Sequence, residues 1–205
     1  FFNGTGRGVR RTVLQDSLRR RARELGVNFI EGRVDQIVQC ETSVNAVGIQ
    51  CRYLIGADGL HSTVRRQLGV SVANKREMHL RFGIRQHFST APWSDLVEVH
   101  WLSDAEVYIT PVDQEIVGIA VLGRSNLDLR ATISRIPELS DRLASAEPAS
   151  KLRGAGPLRQ RVRTRSIGRV LLVGDAAGYV DALTGEGLRV GFAEAEAAVR
   201  AVDTN

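Results

Sequence analysis

The sequence is poor in the residues that mark several common classes of protein. It holds two cysteines in 205 residues, Cys40 and Cys51, too few for the disulfide framework of a small secreted domain. They flank an expected hairpin near Asn45-Ala46 and read as reduced strand or core residues. No run of eighteen apolar residues occurs, so no membrane span is expected, and no signal peptide is visible. The four histidines, His61, His79, His87 and His100, lie far apart. Neither they nor the cysteines show ligand spacing, so no metal site is expected. Lysine occurs only at Lys75 and Lys151, and the formal net charge of +5 is carried by arginines scattered among carboxylates. The dense cluster Arg19-Arg20-Arg21-Ala22-Arg23 lies opposite the apolar side Leu14, Leu18, Ala22 and Leu25 of one helix, which makes it a solvated face. A basic nucleic-acid-binding module is the rival from another class. It lacks interleaved aromatics and a recognised motif, so no nucleic-acid partner is expected.

What is present is an ordinary globular balance, 43% hydrophobic and 25% charged, in a chain long enough for one or two domains. The compartment expected from this is cytoplasmic. The chain begins Phe-Phe-Asn rather than with Met and ends Asp203-Thr204-Asn205, which reads as a piece cut at both ends. Its opening glycines, G-T-G-R-G, have neither a preceding strand nor dinucleotide spacing and read as a loop. Apolar spacing from Thr12 to Leu25 predicts an amphipathic helix ended by Gly26. Val27–Ile30, Arg33–Gln39, Ala46–Gln50 and Arg52–Ile55 read as strands, and Ser62 caps a short helix over Thr63–Leu68. Between residues 76 and 124 the segments MHLRFGIRQHF, LVEVHWL, EVYIT and EIVGIAVL predict a mostly antiparallel sheet. Leu127–Ala144 reads as helix broken at Pro137, Glu147–Gly156 as loop, and Arg159–Arg165 as a strand exposed on one side. The predicted organisation is an α/β domain made of residues 1–75 and 156–205, with a β-rich lobe, residues 76–155, inserted into it.

Three separated motifs carry the chemistry. The first is Arg11-x-x-Leu14-x-x-x-Leu18, a cation at the head of a helix. The second is the strand and turn Tyr53-Leu54-Ile55-Gly56-Ala57-Asp58-Gly59, followed by Ser62 and Arg65. The third is Val170-Leu171-Leu172-Val173-Gly174-Asp175-Ala176-Ala177, with Thr184-Gly185-Glu186-Gly187 opening an alanine- and glutamate-rich helix. In this order, with a β-rich lobe between the second and third, they resemble the flavoprotein monooxygenases of p-hydroxybenzoate hydroxylase type and their relatives, the geranylgeranyl reductases.

The resemblance implies an FAD-binding Rossmann-like domain of glutathione-reductase type, truncated at its N-terminus, with an inserted antiparallel substrate domain. It implies FAD as cofactor, NAD(P)H as reductant and a small-molecule substrate. The cofactor-binding positions it implies are Arg11, Val34, Ala57, Asp58, Gly59, Gly174, Asp175, Gly185, Glu186, Gly187 and Leu188. Chemically, Arg11 suits the pyrophosphate as a bidentate donor. The resemblance implies that Asp175 accepts hydrogen bonds from the ribityl hydroxyls, a role its carboxylate suits. Gly185 and Gly187 let a helix N-terminus approach the flavin ring, where the helix dipole favours the anionic reduced form. The expected activity is monooxygenation, with reduction of prenyl double bonds as the alternative. No residue is assigned as a general base, so the catalytic residues stay open, as does the oligomeric state. The family's first motif, G-x-G-x-x-G, has no counterpart here, so the piece alone is expected to hold FAD weakly and to be inactive. A proline frequent before the glycine pair is Ala182, and the halogenase tryptophan motif and the usual C-terminal continuation are missing.

Overall fold

The computed structural model describes residues 9–73, 80–124, 126–182 and 185–203. The opening glycine loop, Lys75, His79 and Thr184 lie outside these residues. The first elements are α1 (Arg11–Glu24), β1 (Ile37–Gln39), β2 (Val44–Ala46), β3 (Ile49–Cys51), β4 (Leu54–Gly56) and α2 (Thr63–Gln67). The next are β5 (Phe82–Ser89), β6 (Glu98–Trp101), β7 (Ala105–Asp113), β8 (Ile116–Gly123), α3 (Leu129–Ile133) and α4 (Pro137–Leu143). Then follow β9 (Glu147–Pro148), β10 (Arg153–Ala155), β11 (Ser166–Ile167), β12 (Val170–Leu172) and α5 (Gly187–Asp203). The chain divides into two compact units. One takes the described residues up to Ile30 with Arg81–Ala155; the other takes Glu31–Leu80 with the residues from Gly156 onward.

The first unit is built on an antiparallel sheet of order β10-β5-β8-β7-β6, with β9 also pairing β5. Strict alternation puts Val107 and Ile109 of β7, and Val117, Ile119 and Val121 of β8, on one buried face. Leu129 and Ile133 of α3 and Leu139 of α4 pack against that face. Asp128 caps α3 by accepting from the Ala131 N–H at 2.9 Å, and Pro137 occupies the first turn of α4, where its missing N–H costs nothing. Two expectations change here. The segment Glu147–Gly156 is not all loop, because β9 and β10 add short pairings to β5. Val27–Ile30 forms no strand; Phe29 instead lies beneath the guanidinium groups of Arg19 and Arg23, at 5.2 and 5.4 Å. The amphipathic helix α1 forms, yet none of its residues is buried.

In the second unit β1, β2 and β3 form an antiparallel meander. Its tight turn falls at Val47-Gly48, both at positive φ (55° and 71°), rather than at Asn45-Ala46. That pair suits the right-handed twist of a two-residue hairpin. Cys40 and Cys51 are both free thiols, with β2 lying between the strands that carry them. The basic stretch Arg159–Arg165 makes two isolated bridges, Gln160 to Tyr179 and Val162 to Ser71, instead of a full strand. A second three-stranded sheet has the order β11-β12-β4, with β12 parallel to β4. Its strands are short and their core is small: Val64, Val70, Val170, Leu172 and Ala176.

Gly56 is the tightest point of this core. A Cβ there would lie 2.8 Å from Val64 Cγ1 and 2.9 Å from Leu172 Cδ2. Gly56→Ala is therefore expected to cost about 1–3 kcal/mol of stability. Urea unfolding checks it: the midpoint falls with an unchanged slope, and an unshifted midpoint would mean that the core yields freely at this point.

Candidate functional site

The parallel register pairs Val170 with Leu54, Leu171 with Ile55 and Leu172 with Gly56. Parallel neighbours end together, so the turn Ala57-Asp58-Gly59 and the turn Gly174-Asp175 emerge side by side. Residues beyond the carboxyl ends of parallel strands are where open α/β sheets place ligands. Two motifs more than a hundred residues apart in sequence thus meet at one end of one sheet.

Their junction is held by Arg65, which is only 4% exposed. Its Nη1 donates to the carbonyls of Asp175 (3.0 Å) and Ala176 (3.1 Å). Its Nη2 donates to the Leu60 carbonyl (2.6 Å) and to Gln160 Oε1 (3.1 Å). Gln160 is fixed in turn, its Nε2 donating to the Pro157 carbonyl at 2.9 Å. Burial lowers the pKa of the guanidinium, with the charge of Asp58 opposing the shift. Its Nε is buried without a hydrogen-bond partner.

Asp58 serves the start of α2. Its Oδ2 accepts from the N–H of Thr63 (2.7 Å) and of Val64 (3.0 Å), while the fully buried Ser62 accepts from the Arg65 N–H at 2.8 Å. Burial raises the pKa of Asp58, but hydrogen bonds from the Ser62 hydroxyl and the two amides outweigh it and hold the group below the usual carboxylate range. Its neighbours Ala57 and Gly59 make the turn, Gly59 at a φ of 78°.

The third motif opens onto a groove of about 490 Å³, lined among others by Gly174, Asp175, Tyr179, Glu186, Gly187 and Glu194. Gly174–Ala177 is a single 3₁₀ turn that starts at a φ of 60°. Helix α5 comes against this turn with almost no side chain between them: a Cβ on Gly191 would lie 3.6 Å from Gly174 Cα. Glu194, on the same helix face, accepts from the Gly174 N–H at 2.7 Å and pairs with Arg165 at 3.4 Å. The carboxylate of Asp175 accepts no hydrogen bond among the described residues, although its backbone carbonyl is held by Arg65. Burial, then the charges of Asp175 and Asp181, push the Tyr179 hydroxyl up. The first intrahelical bond of α5 here runs from Val190 N–H to the Glu186 carbonyl, so the N–H groups of Gly187, Leu188 and Arg189 have no partner within the helix. Glu186 itself is paired with Arg189 at 2.9 Å. Among the described residues, the groove therefore offers a free carboxylate acceptor at Asp175 and the unpaired start of α5 at Gly187.

Of the positions expected from the sequence, Gly174, Asp175, Glu186 and Gly187 line this groove. Gly185 (φ 66°) and Leu188 flank the helix start. Val34 packs beside the small core, and its carbonyl accepts from Gln67 Nε2 at 2.9 Å. Arg11 is exposed at the N-terminus of α1 and belongs to the other unit. Two histidines have structural neighbours: His87 Nδ1 is 3.1 Å from Ser150 Oγ, and His100 Nε2 is 3.8 Å from Glu98. Sequence reasoning missed Gln160, Gly191 and Glu194. Gln160 has no local signal. Gly191 and Glu194 were findable, since 187, 191 and 194 share one helix face by spacing.

Comparison with known proteins agrees with this geometry. A menaquinone reductase of Mycobacterium tuberculosis is 27% identical over 228 aligned residues, covering 99% of this chain and 55% of the relative. The chain thus spans about half the length of that curated relative. Among solved structures, a flavoprotein/dehydrogenase from Cytophaga hutchinsonii superposes with a TM-score of 0.82 at 16% identity, over 96% of this chain and 55% of the other. CmlS, a flavin-dependent halogenase, gives 0.79 at 19% identity, over 94% and 39%. At these identities the structural likeness shows the fold: an FAD-binding α/β domain with an antiparallel sheet. The model of the FAD binding domain family matches residues 17–202, and the chain belongs to that family.

Proposed function

We propose that this chain forms part of an FAD-dependent oxidoreductase in which NAD(P)H reduces the flavin, and that the groove at Asp175 takes the ribityl chain and flavin ring. The observation that carries the reading is the unpartnered Asp175 carboxylate on the same groove as the donor end of α5. These residues fit the group. A carboxylate without a protein donor accepts from polyol hydroxyls, and the bare backbone at Gly187 leaves room for a planar ring.

Bound FAD supplies hydride acceptance and onward transfer. The protein's own part is positional and electrostatic. Asp175 orients the polyol. The N–H groups at the start of α5 stabilise negative charge on the ring edge nearest to them. Arg65 keeps the Asp175 turn in place from beneath, and Asp58 stiffens the adjoining turn by capping α2.

Two chemistries follow from such a flavin. Reduction of an unsaturated substrate is favoured by the menaquinone reductase likeness, which runs over nearly the whole chain. Monooxygenation of a small organic substrate rests on the motif order shared with the hydroxylases. Turnover of the full-length protein under ¹⁸O₂ with deuterated reductant separates them. The expected product gains two hydrogens and no ¹⁸O, and ¹⁸O in the product would replace the first chemistry by the second.

Two substitutions test the site. In the full-length protein, Asp175→Ala removes charge-assisted bonds worth about 1.5–3 kcal/mol each, so the FAD dissociation constant should rise about tenfold or more. A change within twofold, by fluorescence titration, would remove the ribityl role. Arg65→Met leaves the carbonyls of Leu60, Asp175 and Ala176 without their donor, at about 1–3 kcal/mol for each group left unsatisfied. Both the urea midpoint and FAD affinity should fall together; loss of stability with unchanged affinity would detach Arg65 from the cofactor site.

A further inference from the structure

Strand β6 is the last strand of the six-stranded sheet, and among the described residues nothing pairs with its outer edge. Natural edge strands are blunted by short length, charged side chains, proline or a bulge. β6 is four residues long and carries Glu98, but it has no lysine, proline or bulge. Next to the open edge four large apolar side chains face solvent within six residues: Leu96 (72% exposed), Val97 (56%), Val99 (37%) and Trp101 (65%). The register with β7 decides which way β6 presents its residues. Glu98 and His100 stand opposite Ile109 and Val107 on the core face, whereas Val99 and Trp101 stand opposite Tyr108 and Glu106 on the other.

We propose that β6 pairs antiparallel with β6 of a second copy of this chain, about a two-fold axis through Val99. The pleat restricts where the axis can lie. Directly opposed residues must point to the same side of the sheet, and a two-fold perpendicular to the sheet keeps each residue on its side. The axis therefore passes through a residue, never between two. An axis at Glu98 would set two carboxylates directly opposite each other, which is destabilising. An axis at His100 sets imidazole against imidazole and Glu98 against Leu102. An axis at Val99 sets Glu98 of each copy opposite His100 of the other, twice, on one face. On the opposite face it sets Val99 against Val99, and each Trp101 against Val97 of the second copy. Hydrogen-bond complementarity between carboxylate and imidazole and apolar burial both select that register. Within one chain Glu98 already lies 3.8 Å from His100 Nε2 and accepts from Trp93 Nε1 at 3.3 Å, so the carboxylate is oriented before the second copy arrives. The closed two-fold contact consumes the open edge of both copies and adds no further one.

Cysteine scanning tests the register. Opposed residues in an antiparallel pair have Cα atoms about 4.5–5.5 Å apart, within the span a disulfide bridges. In a Cys40→Ser background, Val99→Cys is expected to give a covalent dimer under mild oxidation. Val97→Cys alone and Trp101→Cys alone should not, while an equal mixture of those two should cross-link. By light scattering the parent chain should have twice the mass of one chain, and Val99→Lys should halve it with an unchanged circular dichroism spectrum. A monomeric parent chain overturns the proposal. So does a dimer that survives Val99→Lys, or self-cross-linking at Trp101→Cys without any at Val99→Cys. A monomer whose Trp101 emission shifts blue on neutral phosphatidylcholine vesicles overturns it in favour of a lipid surface.

Discussion

A single buried cation, Arg65, holds the candidate site together. Its guanidinium reaches backbone carbonyls at Leu60, Asp175 and Ala176 and the side-chain amide of Gln160, joining its own turn to two segments about a hundred residues further along the chain. The core around it is small: a few valines, Leu172 and alanines. Such a core supplies burial but little direction, because apolar contacts are not directional. Hydrogen bonds from a rigid planar fork are directional. The guanidinium therefore decides where the Asp175 turn stands relative to the Asp58 turn, and the valines decide that both stay in place.

The same division of labour explains why two carboxylates in similar motifs play different parts. Asp58 is spent locally, on two amides at the start of α2. Asp175 contributes its backbone carbonyl to the framework and keeps its side chain free on the groove. Glu194 accepts from the Gly174 amide and pins α5 to the turn. One acid caps, one braces and one remains available. The last has both carboxylate oxygens free of protein donors among the described residues.

The antiparallel sheet of the first unit follows different physics. Its strands alternate cleanly, one face packs against α3 and α4, and its stability rests on a contiguous apolar cluster. Burial there needs no arginine at the centre. The consequence is a sheet whose edges must be dealt with separately: β10 and β9 contribute at one side, and β6 at the other is left with apolar side chains in solvent.

Much of this was determined locally by the sequence. Richness in β-formers between turn residues marks the strands of residues 76–124, Ser62 marks a helix start, and the ordered glycine–aspartate motifs mark the family. Each depends on neighbours within a few residues, where propensity and capping act. Tertiary structure decided the rest. It moved the hairpin turn to Val47-Gly48, where two positive φ angles match the strand twist. It left Val27–Ile30 without a strand partner and gave Phe29 to two arginines. It recruited Gln160, which meets Arg65 across 95 residues of chain, and it set Gly191 and Glu194 of α5 against Gly174. A helix face or a turn can be read from spacing. A donor waiting for an acceptor that far along the chain cannot, because nothing local records which carbonyls the fold will bury beside it.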